Sequence, residues 1–201
     1  YSHFKIDAED SVEIEESYNF NTFDKKIPAI GVVRLPHIAN FTDVHALSGT
    51  PGIQTVFFDS PVHLPKFSAV ILPGSKNTRA DLDWLNRRFK SDLGAYVQAG
   101  GNVLGICGGF QMLGQSVDDP DGLEGRPGSS RGLGLLPVRT VLKAPKTTTL
   151  SRFQWSGADG EGYEIHMGRT QVPHENRWLL VSSRNSVACT DSDGCILENR
   201  R

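Results

Sequence analysis

Four short apolar runs dictate what this chain can fold into: IPAIGVVRL (27–35), GIQTVFFD (52–59), FSAVILPG (67–74) and NVLGIC (102–107). Each is rich in Val and Ile, is closed by Gly, Pro, Asp or Cys, and has the length of one buried strand. Segments of helical spacing lie between them. In PHIANFTDVHALSG (36–49), Ile38, Phe41, Val44 and Leu47 recur every third residue, and Gly49 and Pro51 close a predicted helix. From Arg79 to Gln98, Leu82, Leu85, Phe89, Leu93 and Val97 recur every three or four residues, and Gly100-Gly101 ends a second one. GGFQMLGQSV, directly after NVLGIC, begins a third. Strands alternating with helices predict an α/β fold with a mostly parallel central sheet and helices on both faces. In such sheets the ligand site lies beyond the carboxyl ends of the strands, where Pro73-Gly74 and Cys107 fall.

The remaining sequence is less regular. DDPDGLEGRPGSS (118–130) is polar and turn-forming and predicts a mobile loop beside that site. LGLLPVRTVL (133–142) and GYEIHMGRT (162–170) read as strands, while the stretch joining them, 143–161, yields only a partial reading. Asp193-Gly194 marks a hairpin turn near the end. Residues 1–26, acid-rich and without apolar periodicity, predict a linker from a preceding domain, with one domain over 27–201.

Composition narrows the function classes. A net charge of −2, with 22% charged residues, lacks the basic excess of a nucleic-acid binder. No apolar stretch approaches the ~20 residues that cross a bilayer, and the first residues are not signal-like, which predicts a cytoplasmic protein without membrane partners. Cys107, Cys189 and Cys195 form no CxxC pair and have no histidine at zinc-finger spacing, so neither a disulfide framework nor a structural metal is expected.

Cys107 has two readings. Free cysteine is among the most buried residue types, and a thiol at a strand end can simply fill space. Against that, Gly105, Cys107 and Gly109 form G-x-C-x-G between a strand and a helix, the thiol version of a nucleophile elbow. There the tight turn needs neighbours without side chains, and the sulfur sits near a helix N-terminus, which favours thiolate. The context favours the elbow. Acyl transfer then needs two N–H donors for the oxyanion; Gly108 follows the nucleophile directly, and Gly74 in LPGSKNT allows close backbone approach, although Pro73-Gly74 also reads as an ordinary turn. For a base, Glu164 and His166 are two apart on a predicted strand, so the carboxylate can orient the imidazole on one face. A strand histidine held by structural hydrogen bonds is the plainer reading of His166. His37 and His45 flank the first predicted helix, and His3, His63 and His174 read as surface residues.

GICGGFQMLG (105–114) resembles the nucleophile segment of class I-like glutamine amidotransferases. VVRLPHIANFTDVHAL (32–47), LPGSKNTRADLDWL (72–85) and GYEIHMGRT (162–170) narrow the resemblance to the cobyric acid synthase family of cobalamin biosynthesis, and DAEDSV (7–12) resembles the end of that family's ATP-using domain. The resemblance implies a flavodoxin-like domain in which Cys107 attacks the side-chain amide of glutamine, forming a γ-glutamyl thioester and ammonia. It assigns the oxyanion hole to Gly74 and Gly108 and places Gln111 near the substrate. It implies no cofactor in this domain, and a synthetase domain, in cis or in trans, that uses ATP and Mg to amidate carboxylates of adenosylcobyrinic acid a,c-diamide. The family pattern continues into a TYLHG-like segment whose histidine pairs with the cysteine, whereas this sequence closes on DGCILENRR. The resemblance therefore also implies either a domain that lacks its C-terminal end or a natural variant without its base, so that these 201 residues alone form a weak glutaminase or a silent domain that docks to a synthetase partner. A cysteine hydrolase of peptides or small amides on the same fold is disfavoured by the resemblance of NFTDVHAL (40–47) and YEIHMGRT (163–170).

Overall fold

The computed structural model describes residues 24, 26–39 and 41–197, and most of the predicted 1–26 linker lies outside these. In chain order, the strands are β1 (Ala29–Val33), β2 (Ile38–Ala39), β3 (Gln54–Phe58), β4 (Ala69–Leu72), β5 (Gly74–Ser75), β6 (Asn102–Gly105), β7 (Ser116–Asp119), β8 (Gly128–Arg131), β9 (Arg139–Val141), β10 (Thr147–Trp155), β11 (Ala158–His166), β12 (Arg169–Gln171), β13 (Arg177–Arg184) and β14 (Val187–Cys195). The helices are α1 (His45–Ser48), α2 (Thr78–Arg88), α3 (Lys90–Gln98) and α4 (Gly108–Leu113).

The four predicted strands pair in parallel in the order β3-β1-β4-β6. Their side chains alternate between faces, as a sheet covered on both sides requires. Val33, Val70 and Leu72 join Leu82, Leu85, Phe89, Leu93 and Tyr96 of the α2–α3 region in the larger buried cluster. Val32 and Ile71, on the opposite face, pack with Val44 and the partly buried Leu47 from the 41–48 segment. Burying such side chains contributes roughly 1.5–3 kcal/mol each, which makes this sheet the stable platform of the molecule.

The single helix predicted over 79–98 is two helices that meet at Phe89, whose φ of −126° and ψ of −9° leave the helical region. The break lets the fully buried Phe89 ring contact both Phe58 and Trp84. Asn77 caps α2 by accepting from the Ala80 N–H at 3.1 Å. The helix predicted over 36–49 is confined to a 3-10 turn at Phe41–Val44 followed by α1. Tertiary pairing overrides its periodicity, because Ile38 and Ala39 pair antiparallel with Ser75 and Gly74.

Downstream are two further sheets. One, β12-β9-β7-β8, takes in the predicted mobile loop, which is instead a pinned hairpin connection. The fully buried Asp119 carboxylate accepts from the Leu123 and Glu124 N–H groups at 2.8 and 2.9 Å. Arg79 lies 3.5 Å from Asp119 and donates to the Arg126 carbonyl at 2.6 Å and to Ser130 Oγ at 3.2 Å. The other sheet, β11-β10-β13-β14, is two antiparallel hairpins, and it turns the barely interpretable 143–161 segment into β10 and the start of β11. The last hairpin turns at Asn185-Ser186, both with positive φ, whereas Asp193 pairs with Leu179 inside β14. Among the described residues, no helix is long and apolar enough to cross a membrane.

Candidate active site

β6 ends at Gly105 and α4 begins at Gly108, leaving Cys107 to make the turn with φ 50° and ψ −111°. That left-handed backbone is costly for a residue with a Cβ, and it persists because the surroundings leave no alternative. A Cβ on Gly105 would lie 2.6 Å from the backbone of Gly109 and Phe110, and one on Gly109 would overlap the Leu72 carbonyl. The elbow is therefore built by sterics on both sides of the thiol. Cys107 is half-buried and lines an open cleft of about 1640 Å³, together with Asp43, Gln111, Glu164, Ile165 and His166. The core-filling reading of the thiol is thereby set aside.

Gly74 and Gly108 both come to this elbow. A Cβ on Gly74 would lie 3.8 Å from the Cys107 Cβ, and one on Gly108 would lie 3.0 Å from the Ser75 nitrogen. The LPGSKNT turn and the start of α4 thus meet at the thiol.

From the opposite side, the end of β11 crosses the elbow. The Cys107 thiol donates to the Ile165 carbonyl at 3.5 Å, and Gln111 Nε2 donates to the Met167 carbonyl at 3.0 Å. Gln111 is therefore buried and pins the strand over the thiol. Glu164 and His166 share a strand face as predicted, with Glu164 Oε2 3.8 Å from His166 Nε2. Among the described residues, no imidazole nitrogen bonds to the thiol. The other Glu164 oxygen accepts from Ser151 Oγ at 2.6 Å and from Arg184 Nε at 2.8 Å, and Arg184 Nη1 donates to Asp191 Oδ2 at 2.6 Å. Sequence reading missed this Ser151–Glu164–Arg184–Asp191 network, because its members come from four strands and no spacing links them. His63 and His174 are on the surface, the His45 side chain and His3 lie outside what the structure describes, and His37 binds Asp81.

Burial pushes the Cys107 thiol above its ordinary value. The Gly108 N–H and the charge of Lys146 act the other way, while Asp43 and Glu124 reinforce the rise. Desolvation thus acts against the thiolate that a helix N-terminus favours, and α4 is only six residues long. No set of three His, Cys, Asp or Glu among the described residues converges as a metal centre would.

Comparison with known proteins agrees with this architecture. Two solved structures share the fold: PurLQS from Thermotoga maritima, with a TM-score of 0.58 at 17% identity over 80% of this chain and 78% of that one, and a glutamine amidotransferase, with a TM-score of 0.55 at 17% identity over 82% and 89%. Among curated sequences, the chain is 42% identical over 200 residues to cobyric acid synthase of Chlorobaculum tepidum and 40% identical over 205 residues to that of Chlorobium phaeobacteroides. Those alignments cover 95% and 96% of this chain but 39% of each relative, so the chain spans about two fifths of the relatives' length. A family model described as the CobB/CobQ-like glutamine amidotransferase domain matches residues 29–201. The elbow, the fold and these matches agree: the chain belongs to the CobB/CobQ-like glutamine amidotransferase domain family.

Proposed function

We propose that this domain hydrolyses glutamine at Cys107 and passes the ammonia to an ATP- and Mg-using synthetase domain that amidates carboxylates of adenosylcobyrinic acid a,c-diamide. The observation that carries the reading is the thiol itself, held at φ 50° on the wall of an open cleft with Gly74 and Gly108 beside it. In this reaction the Cys107 sulfur forms a bond to the γ-carbonyl carbon, and the Gly74 and Gly108 N–H groups receive the developing oxyanion. The C–N bond then breaks, ammonia leaves with the thiol proton, and water converts the thioester to glutamate and free thiol. His166, oriented by Glu164, is the group in the cleft best suited to carry that proton. Gln111 serves the substrate by holding the Met167 carbonyl over the elbow.

A second reading has its own support. The thiol bonds to a carbonyl rather than to an imidazole and is pushed up by burial, which suits a silent domain that docks to a synthetase. Release of ammonia from amide-labelled glutamine separates the two. On the amidotransferase reading, release occurs and disappears in Cys107→Ala, and His166→Ala lowers it at least about tenfold if His166 is the proton carrier. Absence of release from the chain, both alone and with a synthetase domain supplied, favours the silent domain.

A further inference from the structure

The Gly74-Ser75 pair reaches the elbow as a two-residue strand, too short to hold itself in place. Its fixation comes from a carboxylate in the first turn of α2. Asp81 is fully buried, and three groups from two residues converge on its carboxylate. The His37 N–H lies 3.2 and 3.3 Å from its two oxygens, and His37 Nδ1 lies 2.8 Å from Oδ1. Ser75 Oγ donates to Oδ2 at 2.6 Å and in turn accepts from the Asn77 N–H at 3.0 Å. The Lys76 N–H donates to the His37 carbonyl at 2.7 Å and closes the ring.

Asp81 therefore clamps both strands of the small β2–β5 ribbon, one through His37 and the other through Ser75. Ser75 Oγ gives its proton to the carboxylate rather than to an imidazole, so the Ser75–His37–Asp81 cluster is not a second nucleophile. Its output is backbone geometry. Ala39 pairs with Gly74, and the Gly74 α-carbon faces Cys107, so a shift of the ribbon moves one wall of the oxyanion pocket while leaving the sulfur where it is. Preorganised donors lose their effect when misplaced by about 1 Å.

We infer that Asp81 is a positioning residue for acyl transfer, acting through Ser75 and His37 to hold Gly74 at the distance the oxyanion needs. This rests on the amidotransferase reading of Cys107. Two reagents isolate the effect. A chloromethyl ketone analogue of glutamine develops an oxyanion as the thiol attacks its carbonyl, whereas iodoacetamide alkylates the same thiol without one.

In Asp81→Asn the isosteric amide keeps the volume but loses one acceptor. The maximal rate of capture by the chloromethyl ketone is expected to fall about 10- to 100-fold, with its half-saturating concentration within about threefold and iodoacetamide alkylation within about twofold. Ser75→Ala, which removes one tether and leaves the carboxylate, is expected to fall about 3- to 10-fold in capture alone, and it carries the test if Asp81→Asn does not fold. Capture unchanged in variants of a protein that is captured normally overturns the inference, as does a parallel loss of both reactions, which marks a purely structural role. A parent protein that iodoacetamide alkylates and the chloromethyl ketone ignores overturns the amidotransferase reading, and this inference with it.

Discussion

Cys107 and Ile165 are 58 residues apart in sequence, yet the thiol of one meets the carbonyl oxygen of the other at 3.5 Å. The contact exists because Gln111, one turn into α4, grips the Met167 carbonyl at 3.0 Å and draws the end of β11 across the elbow. Removing the grip should loosen the roof of the cleft without touching its floor. Gln111→Ala is expected to lose about 1–2 kcal/mol in urea unfolding, the value of a buried hydrogen bond whose partner is left unpaired, and to raise the glutamine concentration needed for half-saturation. Gln111→Glu, which sets a carboxylate against that carbonyl, should lose more.

The desolvation of the thiol has a direct signature. Burial raises the Cys107 thiol, so its alkylation by iodoacetamide is expected to climb with pH and to reach half its plateau above the midpoint of a free cysteine derivative measured in parallel. Subtracting the Cys107→Ser background removes Cys189 and Cys195. A midpoint below that of the free derivative would mean that the Gly108 N–H and Lys146 outweigh desolvation.

Backbone crowding at the elbow predicts a sharp steric intolerance. Gly109→Ala places a methyl group on the Leu72 carbonyl, at the carboxyl end of the interior strand β4, where backbone meets backbone. The expected loss is about 3 kcal/mol or more, seen as a collapse in melting temperature or in soluble yield. Gly94→Ala, in α3 with open space around it, is the control and should leave stability unchanged or slightly raised.

Asp119 predicts an acid-sensitive step. Burial alone would raise its carboxyl, but the Glu124 and Leu123 N–H groups and the Arg79 guanidinium outweigh that and hold it below its ordinary value. A carboxyl depressed in the folded state adds stability that is complete above its unfolded pKa and is lost as pH falls through the folded one. Stability is therefore expected to decline on acidification below about pH 4, and Asp119→Asn should be less stable at neutral pH while showing a flatter acid limb. Urea titrations of both proteins across that range decide it.

What could be read from the sequence was local. The four parallel strands and the elbow are written in contiguous residues: a β-branched run, a glycine two positions to either side of Cys107, and a glycine at the Gly74 turn. Glu164 and His166 could be paired because strand alternation is a two-residue rule. The reading failed where distant segments decide. Ile38 has helical spacing but pairs with Ser75, Asp193-Gly194 has hairpin chemistry but lies inside β14, and the 118–130 connection looks mobile until Arg79 and Asp119 are found inside it. Asp81 illustrates the same limit, since nothing near it in sequence announces that its carboxylate holds residues 37 and 75.

The proposed function turns on a covalent step at Cys107, and trapping that step is the most direct test. The protein is incubated with glutamine, quenched in acid within the first turnover, and its mass measured intact and after peptide mapping. The predicted result is the addition of one glutamyl group on the peptide that carries Cys107, sensitive to hydroxylamine and absent in Cys107→Ala. Ammonia released at full rate by Cys107→Ala, or a glutamyl group carried by Cys189 or Cys195 instead, would contradict it.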